Sequence, residues 1–382
     1  MNRLILTVAL SGFALIVLSA CQQGQSSAAE STAQQRAPGT IPGLLEQGFY
    51  GDDETVKSDR ATAGEAQPDD NSVPDSNTEA SDEDIVASIG FSTVADGQDA
   101  HAGHHHPAVV ECNAQEATIS PTQACEKISK RLASVSMDLC ERAELALSRC
   151  ESVEQFPILV REFPPLNGRQ PQGRILVIGG THGDELTSVS IVFRWIAKLN
   201  KHHSGMFHWR IAPMMNPDGV LKRGASRTNQ RGVDLNRNLP SDDWDENALK
   251  YWAEKSGKNK RRYPGPHAAS EPETQWLVNE IATFKPDAII SVHAPYGVVD
   301  YDSLILNAAP KSLGKLALNL LGTYPGSLGN YAGINRDIPV ITLELPNAWE
   351  MPSDHETTRI WEDIVSWLGK NVNQPGQTAS AN

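Results

Sequence analysis

The sequence predicts an α/β fold: a mixed, mostly parallel sheet covered by helices on both faces, preceded by a disordered tether and a small helical hairpin. Three observations predict it. The runs "GRILVIGG", "PDAIISVHA" and "PVITLELP" are almost wholly apolar, as strands buried on both faces must be. The windows "ELTSVSIVFRWIAKLNK" and "HETTRIWEDIVSWLGKN" carry apolar residues at helical spacing, so amphipathic helices are expected against those strands. The long stretch ahead of them, typified by "DDNSVPDSNTEASDED", has too little apolar surface to offset its ordering entropy.

Taken in chain order, residues 1–21 have the form of an export signal. Arg3 precedes an apolar run from Leu4 to Leu18, too short for a comfortable membrane span, which ends in small residues. The last four residues, "LSAC", resemble the lipobox of bacterial lipoproteins. That resemblance implies cleavage before Cys21, lipidation of its thiol and a membrane partner through the N-terminal lipid. Gln22 stands where retained lipoproteins carry aspartate, which points to the outer membrane, facing the periplasm of a bacterial cell envelope.

Residues 22–110 read as a disordered acidic linker. With Glu111 the segment holds 17 acidic and three basic side chains, enough to account for the whole chain's net charge of −14. The remainder is near neutral, which argues against nucleic acid as a partner. About 90 such residues reach on the order of 50 Å as a coil, and further under self-repulsion. His101, His104, His105 and His106 close the segment and read as solvated linker rather than as a metal site.

Residues 111–150 are expected to form a cysteine-containing helical hairpin. Ser120 can cap its first helix, with Pro121 at the first position and Ala124, Ile128 and Leu132 at helical spacing. The second helix is expected through "SMDLCERAELALSRC". Cys112, Cys125, Cys140 and Cys150 are an even set in an exported chain, so two disulfides are expected. Antiparallel helices turning near Val135 would set Cys125 opposite Cys150 and leave Cys112 for Cys140; two other connectivities stay open. Residues 151–371 form the α/β domain, in which "FHWRIAPMMNP" reads as a further strand and "KSLGKLALNLLG" as a further helix. Residues 372–382 read as a flexible tail.

The chemistry gathers where apolar runs end. His182 and Glu185, in "GGTHGDEL", follow one strand, and His293 ends another. Open α/β sheets build their sites at such carboxyl ends, and two histidines with one carboxylate are a catalytic zinc set. The block "NPDGVLKRGASRTNQRGVDLNRNLP" can present Arg227, Arg231, Asn236 and Arg237 to an anion, since guanidinium forks bind carboxylates with two bonds. Glu344 sits in an apolar strand, where a carboxylate is costly without a role. It is either a general base near a metal or one half of an arginine pair.

Together "HGDE", "NPDG", "GVDLNRN", "YPGPHAASEPET", the strand-end His293 and "TLELP" occur in the order found in zinc carboxypeptidases of the carboxypeptidase A type, which the chain resembles over about residues 150–370. With "GGTHGDE" and "YPGSLGNYAG" it looks most like the murein peptide amidase branch. The resemblance implies a zinc carboxypeptidase-like fold and one zinc per chain. His182, Glu185 and His293 would be the metal ligands and Glu344 the general base. Arg227 would polarise the scissile carbonyl, although its spacing to Asn236 is shorter than in digestive members. Asn236 and Arg237 would hold the substrate's carboxylate, and Asp234 would orient the first zinc histidine. Tyr324 and Tyr331 are both candidates for the family's substrate tyrosine; neither falls at the familiar distance before Glu344.

The implied activity is hydrolysis of an amide next to a free carboxylate in peptides derived from peptidoglycan, either the γ-D-glutamyl-diaminopimelate bond or the terminal residue of the stem, by a monomer. Three alternatives stand beside it: a desuccinylase or aspartoacylase-like zinc acylase, a general carboxypeptidase on L-peptides, and a catalytically dead binding lipoprotein. "SEPET" and the full "GVDLNRN" favour the peptidase over the acylase, and no ligand or base is missing, as a dead homologue would show.

Overall fold

A computed structural model of the chain describes residues 119–372. The signal and lipidation reading at Cys21, the linker with its histidines, Cys112 and the tail from residue 373 onward lie outside the described residues.

Helix α1 (Pro121–Arg131) begins as its sequence dictates. Ser120 accepts from the Gln123 amide, Gln123 accepts from the Ser120 amide, and Pro121 fills a position that needs no donor. Helix α2 (Met137–Glu141) is capped by Ser136 but is far shorter than expected. The chain leaves helical space at Glu144, with φ of 47°, and Ala146–Glu151 becomes strand β1. The expected second helix is therefore corrected to one and a half turns followed by a strand. β1 pairs antiparallel with β2 (Pro157–Phe163), and the backbone bonds gained there are unavailable to a helix.

The cysteine pairing changes with it. Cys125 of α1 is bonded to Cys140 of α2, with Cα atoms 5.5 Å apart, and not to Cys150, which β1 carries into the sheet. Cys150 is also disulfide-bonded. The Cys125–Cys140 link closes a 15-residue separation, for which chain entropy assigns about 3 kcal/mol. Replacing both cysteines by alanine should lower the unfolding free energy by about that amount in a denaturant titration. An unchanged midpoint would mean that helix packing alone already constrains this corner.

The rest of the chain runs β3 (Gly173–Ile178), α3 (Leu186–His202), β4 (Phe207–Ala212), α4 (Pro217–Leu221), α5 (Trp244–Glu254), α6 (Pro272–Phe284), β5 (Ala288–His293), β6 (Val298–Asp302), β7 (Ser312–Leu313), β8 (Leu316–Leu318), β9 (Val340–Glu344) and α7 (Asp354–Asn371). The nine strands form one sheet in the order β1-β2-β4-β3-β5-β9-β6-β8-β7. Its centre, β4-β3-β5-β9, is parallel, while β1, β2, β6 and β7 add antiparallel pairings toward the edges. The expected helix at 311–322 does not form. Its apolar residues instead make the short hairpin β7–β8, turning at Gly314, whose φ is 59°.

Alternation along the central strands separates two cores. Ile175 and Val177 of β3, Ile290 and Val292 of β5, and Ile341 and Leu343 of β9 face α1, α3 and α7. Leu176, Ile178, Ile289 and Val340 face the opposite side, where α6 contributes Trp276, Leu277 and Ile281. Every residue of β5 is buried, as its apolar run requires. Both faces being covered, the sheet opens to chemistry only along the carboxyl ends of its parallel strands.

Candidate metal centre

Those carboxyl ends deliver the predicted residues to one point. His182 and Glu185 lie on the turn from β3 to α3, with Glu185 immediately before the first helical residue. His293 is the last residue of β5, and Glu344, the last of β9, stands beside it in register. One potential metal-binding atom from each of His182, Glu185 and His293 lies within 4.8 Å of the others. The two Nδ1 atoms are 3.1 Å apart, and Glu185 reaches both rings, Oε1 at 2.8 Å from His182 and Oε2 at 3.0 Å from His293.

The turn that carries two of these ligands is tight because its glycine is needed. A Cβ on Gly183 would come within 2.2 Å of the Gly219 backbone and 2.4 Å of the Ser226 carbonyl. Thus the glycines of "HGDE" and "NPDG" are packed against each other. Asn216 stitches the same two loops: its side chain accepts from the Gly219 amide at 2.9 Å and donates to the carbonyls of Thr181 and Arg227. The fully buried Asn216 is a structural residue that the sequence reading passed over, although the "NPDG" motif contains it.

Asp234 lies behind the cluster, wholly buried. Its Oδ1 is 3.0 Å from His182 Nε2, and its Oδ2 accepts from Arg227 Nε at 3.1 Å. An ionised carboxylate only accepts, so Nε2 of His182 carries a proton toward Asp234, and Nδ1 is the nitrogen that faces Glu185 and His293. Burial and the Arg227 charge oppose protonation of His182, yet Glu185 and Asp234 outweigh them and raise its pKa. Burial lowers that of His293. Burial opposes ionisation of Glu185 too, but the two histidines hold its carboxyl well below the usual range. Two imidazole nitrogens and a carboxylate crowded together, with a second carboxylate fixing the tautomer, are the donor set that suits zinc, and the residues present fit that ion.

Glu344 is not held as those ligands are. It is 7% exposed, and its Oε2 is buried with no hydrogen-bond partner. Burial and the adjacent Glu185 charge push its carboxyl up to about 8. The alternative of an arginine ion pair is not realised, since no such pair involves Glu344 among the described residues.

The four residues expected to face an anion fall into two groups. Asn236 and Arg237 lie on a 3₁₀ turn directly after Asp234. Asn236 Oδ1 accepts from the Leu328 amide at 2.8 Å, and the Arg237 guanidinium lies 4.2 Å over the Tyr324 ring. Gly326, in "YPGSLGN", allows this approach, for a Cβ there would meet the Arg237 carbonyl oxygen at 2.0 Å. Arg237 makes no ion pair among the described residues. Burial and the charges of Arg227 and Arg262 pull its guanidinium below its usual range in spite of Asp234. Tyr331 is 2% exposed and packed in the core beneath Arg336, whereas the Tyr324 ring lies against Arg237. Arg227 and Arg231 instead line a neighbouring cavity of about 580 Å³. Arg227 also reaches Glu185, at 3.5 Å.

The profile of the zinc carboxypeptidase family matches residues 146–303. Murein peptide amidase A of Escherichia coli K12 is 28% identical over 209 residues, which is 52% of this chain and 82% of that protein. Murein peptide amidase A of Vibrio campbellii is 31% identical over 188 residues, covering 46% of this chain and 71% of that protein. Among solved structures, the murein-tripeptide amidase of Escherichia coli O157 is 26% identical and superimposes with a TM-score of 0.41, over 57% of this chain and 89% of the other.

Proposed function

This chain belongs to the zinc carboxypeptidase family and is a hydrolase of the metallocarboxypeptidase type, and from that premise we propose that it cleaves an amide next to a free carboxylate in peptidoglycan stem peptides. The observation that carries the substrate reading is Arg237. A half-buried guanidinium, stacked on Tyr324 and lacking an ion pair among the described residues, stands three residues from the carboxylate that holds a metal-site histidine. Such a group is incomplete without an anion, and a substrate carboxylate supplies it. Two relatives are murein peptide amidases, which favours a wall peptide over an ordinary one.

His182, Glu185 and His293 hold one zinc. When bound, the ion supplies Lewis acidity and lowers the pKa of a water in the site toward ~7. Asn236 and Arg237 grip the free carboxylate and so fix the scissile amide over the cluster, converting binding into proximity. Glu344 takes a proton from the attacking water and returns it to the leaving amine. Arg227 donates to the carbonyl oxygen as it gains charge. Asp234 keeps both His182 and Arg227 in place through its two oxygens.

We place the protein at the cell envelope, lipid-anchored through Cys21 and facing the periplasm from the outer membrane. The "LSAC" boundary after the apolar run supports this. Cys21→Ala should abolish palmitate labelling and leave unprocessed precursor; labelling that persists in the variant overturns the anchor.

Mass spectrometry of purified muropeptides incubated with the zinc-loaded full chain tests the substrate. Release of diaminopimelate from tripeptide, leaving L-Ala-D-Glu, identifies the γ-D-glutamyl bond. Loss of only the terminal alanine from tetrapeptide identifies trimming of the stem. An enzyme inert on both, yet active at the C-terminus of ordinary L-peptides, would leave the zinc carboxypeptidase activity standing and remove the wall assignment.

A further inference from the structure

We propose that the cavity beside Arg227 is a subsite for a second carboxylate, carried by the residue on the acyl side of the scissile amide. The inference rests on the substrate reading above and names what the other half of that substrate must contain.

The cavity, of about 580 Å³, meets the metal cluster at Arg227, which lines it and also touches Glu185. Neither Asn236, Arg237 nor Tyr324 lines it, so it is separate from the carboxylate grip. A peptide gripped at Arg237 and crossing the metal ligands therefore places its acyl arm in this space. Arg231, Lys260 and Arg261 add three further positive charges to the lining, and no acidic side chain lines it. Arg261 is held from outside by Asp184 at 2.7 Å, and Arg231 by the buried Glu271 at 3.6 Å. Both arginines stay more than half exposed, and Lys260 has no ion-pair partner among the described residues.

The wall of the cavity is built rather than loose. Trp252 donates from its indole to the Asn259 carbonyl at 2.8 Å, and Asn259 caps the turn that carries Lys260 and Arg261. Tyr263 packs on Trp252 at 4.9 Å, and its carbonyl accepts from the Asp234 amide at 2.8 Å. The cationic wall is thus tied through one peptide group to the residue that orients His182. Four cations around a cavity of this size, with two aromatic rings, suit an acidic residue of a small peptide. A glutamyl residue joined through its side chain leaves its α-carboxylate free on the acyl side, so it has the required chemistry; an α-linked neutral residue does not.

The test compares kcat/KM of the zinc-loaded full chain on two synthetic γ-D-glutamyl-diaminopimelate peptides, one with the glutamyl α-carboxylate free and one with it amidated. The parent should prefer the free acid by about 10- to 100-fold, the usual worth of charged hydrogen bonds. Arg231→Ala/Lys260→Ala should bring the ratio of acid to amide close to one. Lys260→Glu, a change at an exposed side chain that cannot disturb the core, should depress the ratio in the same direction. A parent without preference, or variants that lose rate equally on both peptides, overturns the subsite. If neither peptide is cleaved, the γ-D-glutamyl bond is excluded as the target. The subsite is then decided on short L-peptides with Glu or Gln on the acyl side: a Glu preference that the double variant lacks upholds it, and no preference sinks it.

Discussion

Glu344→Gln should bind zinc as the parent does and lose about 10²- to 10⁴-fold in kcat, the range that a positioned proton-transfer group supplies. Glutamine keeps the shape and one acceptor oxygen but cannot take or return a proton. The loss corresponds to about 3 to 5 kcal/mol of barrier. The environment explains why this carboxylate suits the role. It is buried at the end of β9, one of its oxygens is unpartnered, and burial and Glu185 push it up to about 8. A dication among the three ligands offsets the Glu185 charge and draws the carboxyl back toward neutrality, where a base that must also act as an acid works best. The measurement pairs metal content after dialysis with turnover of the tripeptide. A variant that turns over at a near-parental rate removes Glu344 from the chemistry. One that loses metal as well as rate makes it a ligand instead.

The parts of this site that were legible in the sequence share a cause. His293 and Glu344 each end an apolar strand buried on both faces, and His182 follows another on the turn into α3; a polar side chain at such a boundary is conspicuous against its neighbours. Asn236 and Arg237 stand out in the sequence as anion-facing residues of the block after "NPDG", and Asp234 only through the resemblance, since nothing in composition shows that a 3₁₀ turn brings the three to the cluster. What was misread depends on tertiary pairing. "KSLGKLALNLLG" has helical spacing, yet Gly314 can turn with positive φ, and Leu313 and Leu316 then pair across a hairpin at the sheet's edge. The "LGKL" turn was the available signal. The stretch after Glu141 was read as helix for the same reason, but β2 offered β1 a partner that local periodicity cannot reveal. The choice between Tyr324 and Tyr331 also turned on packing: both lie in one short segment, and only the fold shows one against Arg237 and the other in the core. The division of the four anion-facing residues between a grip and a cavity was likewise invisible, because it depends on residues 252–262, the end of α5 and the turn after it, which lie outside the quoted motifs.

His293→Ala should abolish zinc binding at micromolar metal and with it all measurable turnover. Of the three ligands His293 is the one whose loss is cleanest to interpret. It is the last residue of β5, and its backbone carbonyl, which accepts from the Leu345 amide at 2.8 Å, is unaffected by the substitution. The imidazole is 3% exposed and its Nδ1 faces His182 and Glu185, so truncation leaves an open coordination corner and little else. His182→Ala is less clean, because Asp234 would lose a partner and remain buried against Arg227 alone. Asp234→Asn should fall between parent and His293→Ala, weakening zinc by about 10- to 100-fold as the tautomer of His182 is no longer fixed by a charge. Thermal unfolding with and without zinc separates these cases without reference to activity. At a free metal concentration about 1,000 times its dissociation constant, zinc stabilises the parent by about 4 kcal/mol; the Asp234→Asn shift should be smaller, and His293→Ala should show none. Stoichiometric zinc retained by His293→Ala, or a full zinc-dependent shift in its melting, would take His293 out of the ligand set and leave the two Nδ1 atoms at 3.1 Å without an explanation.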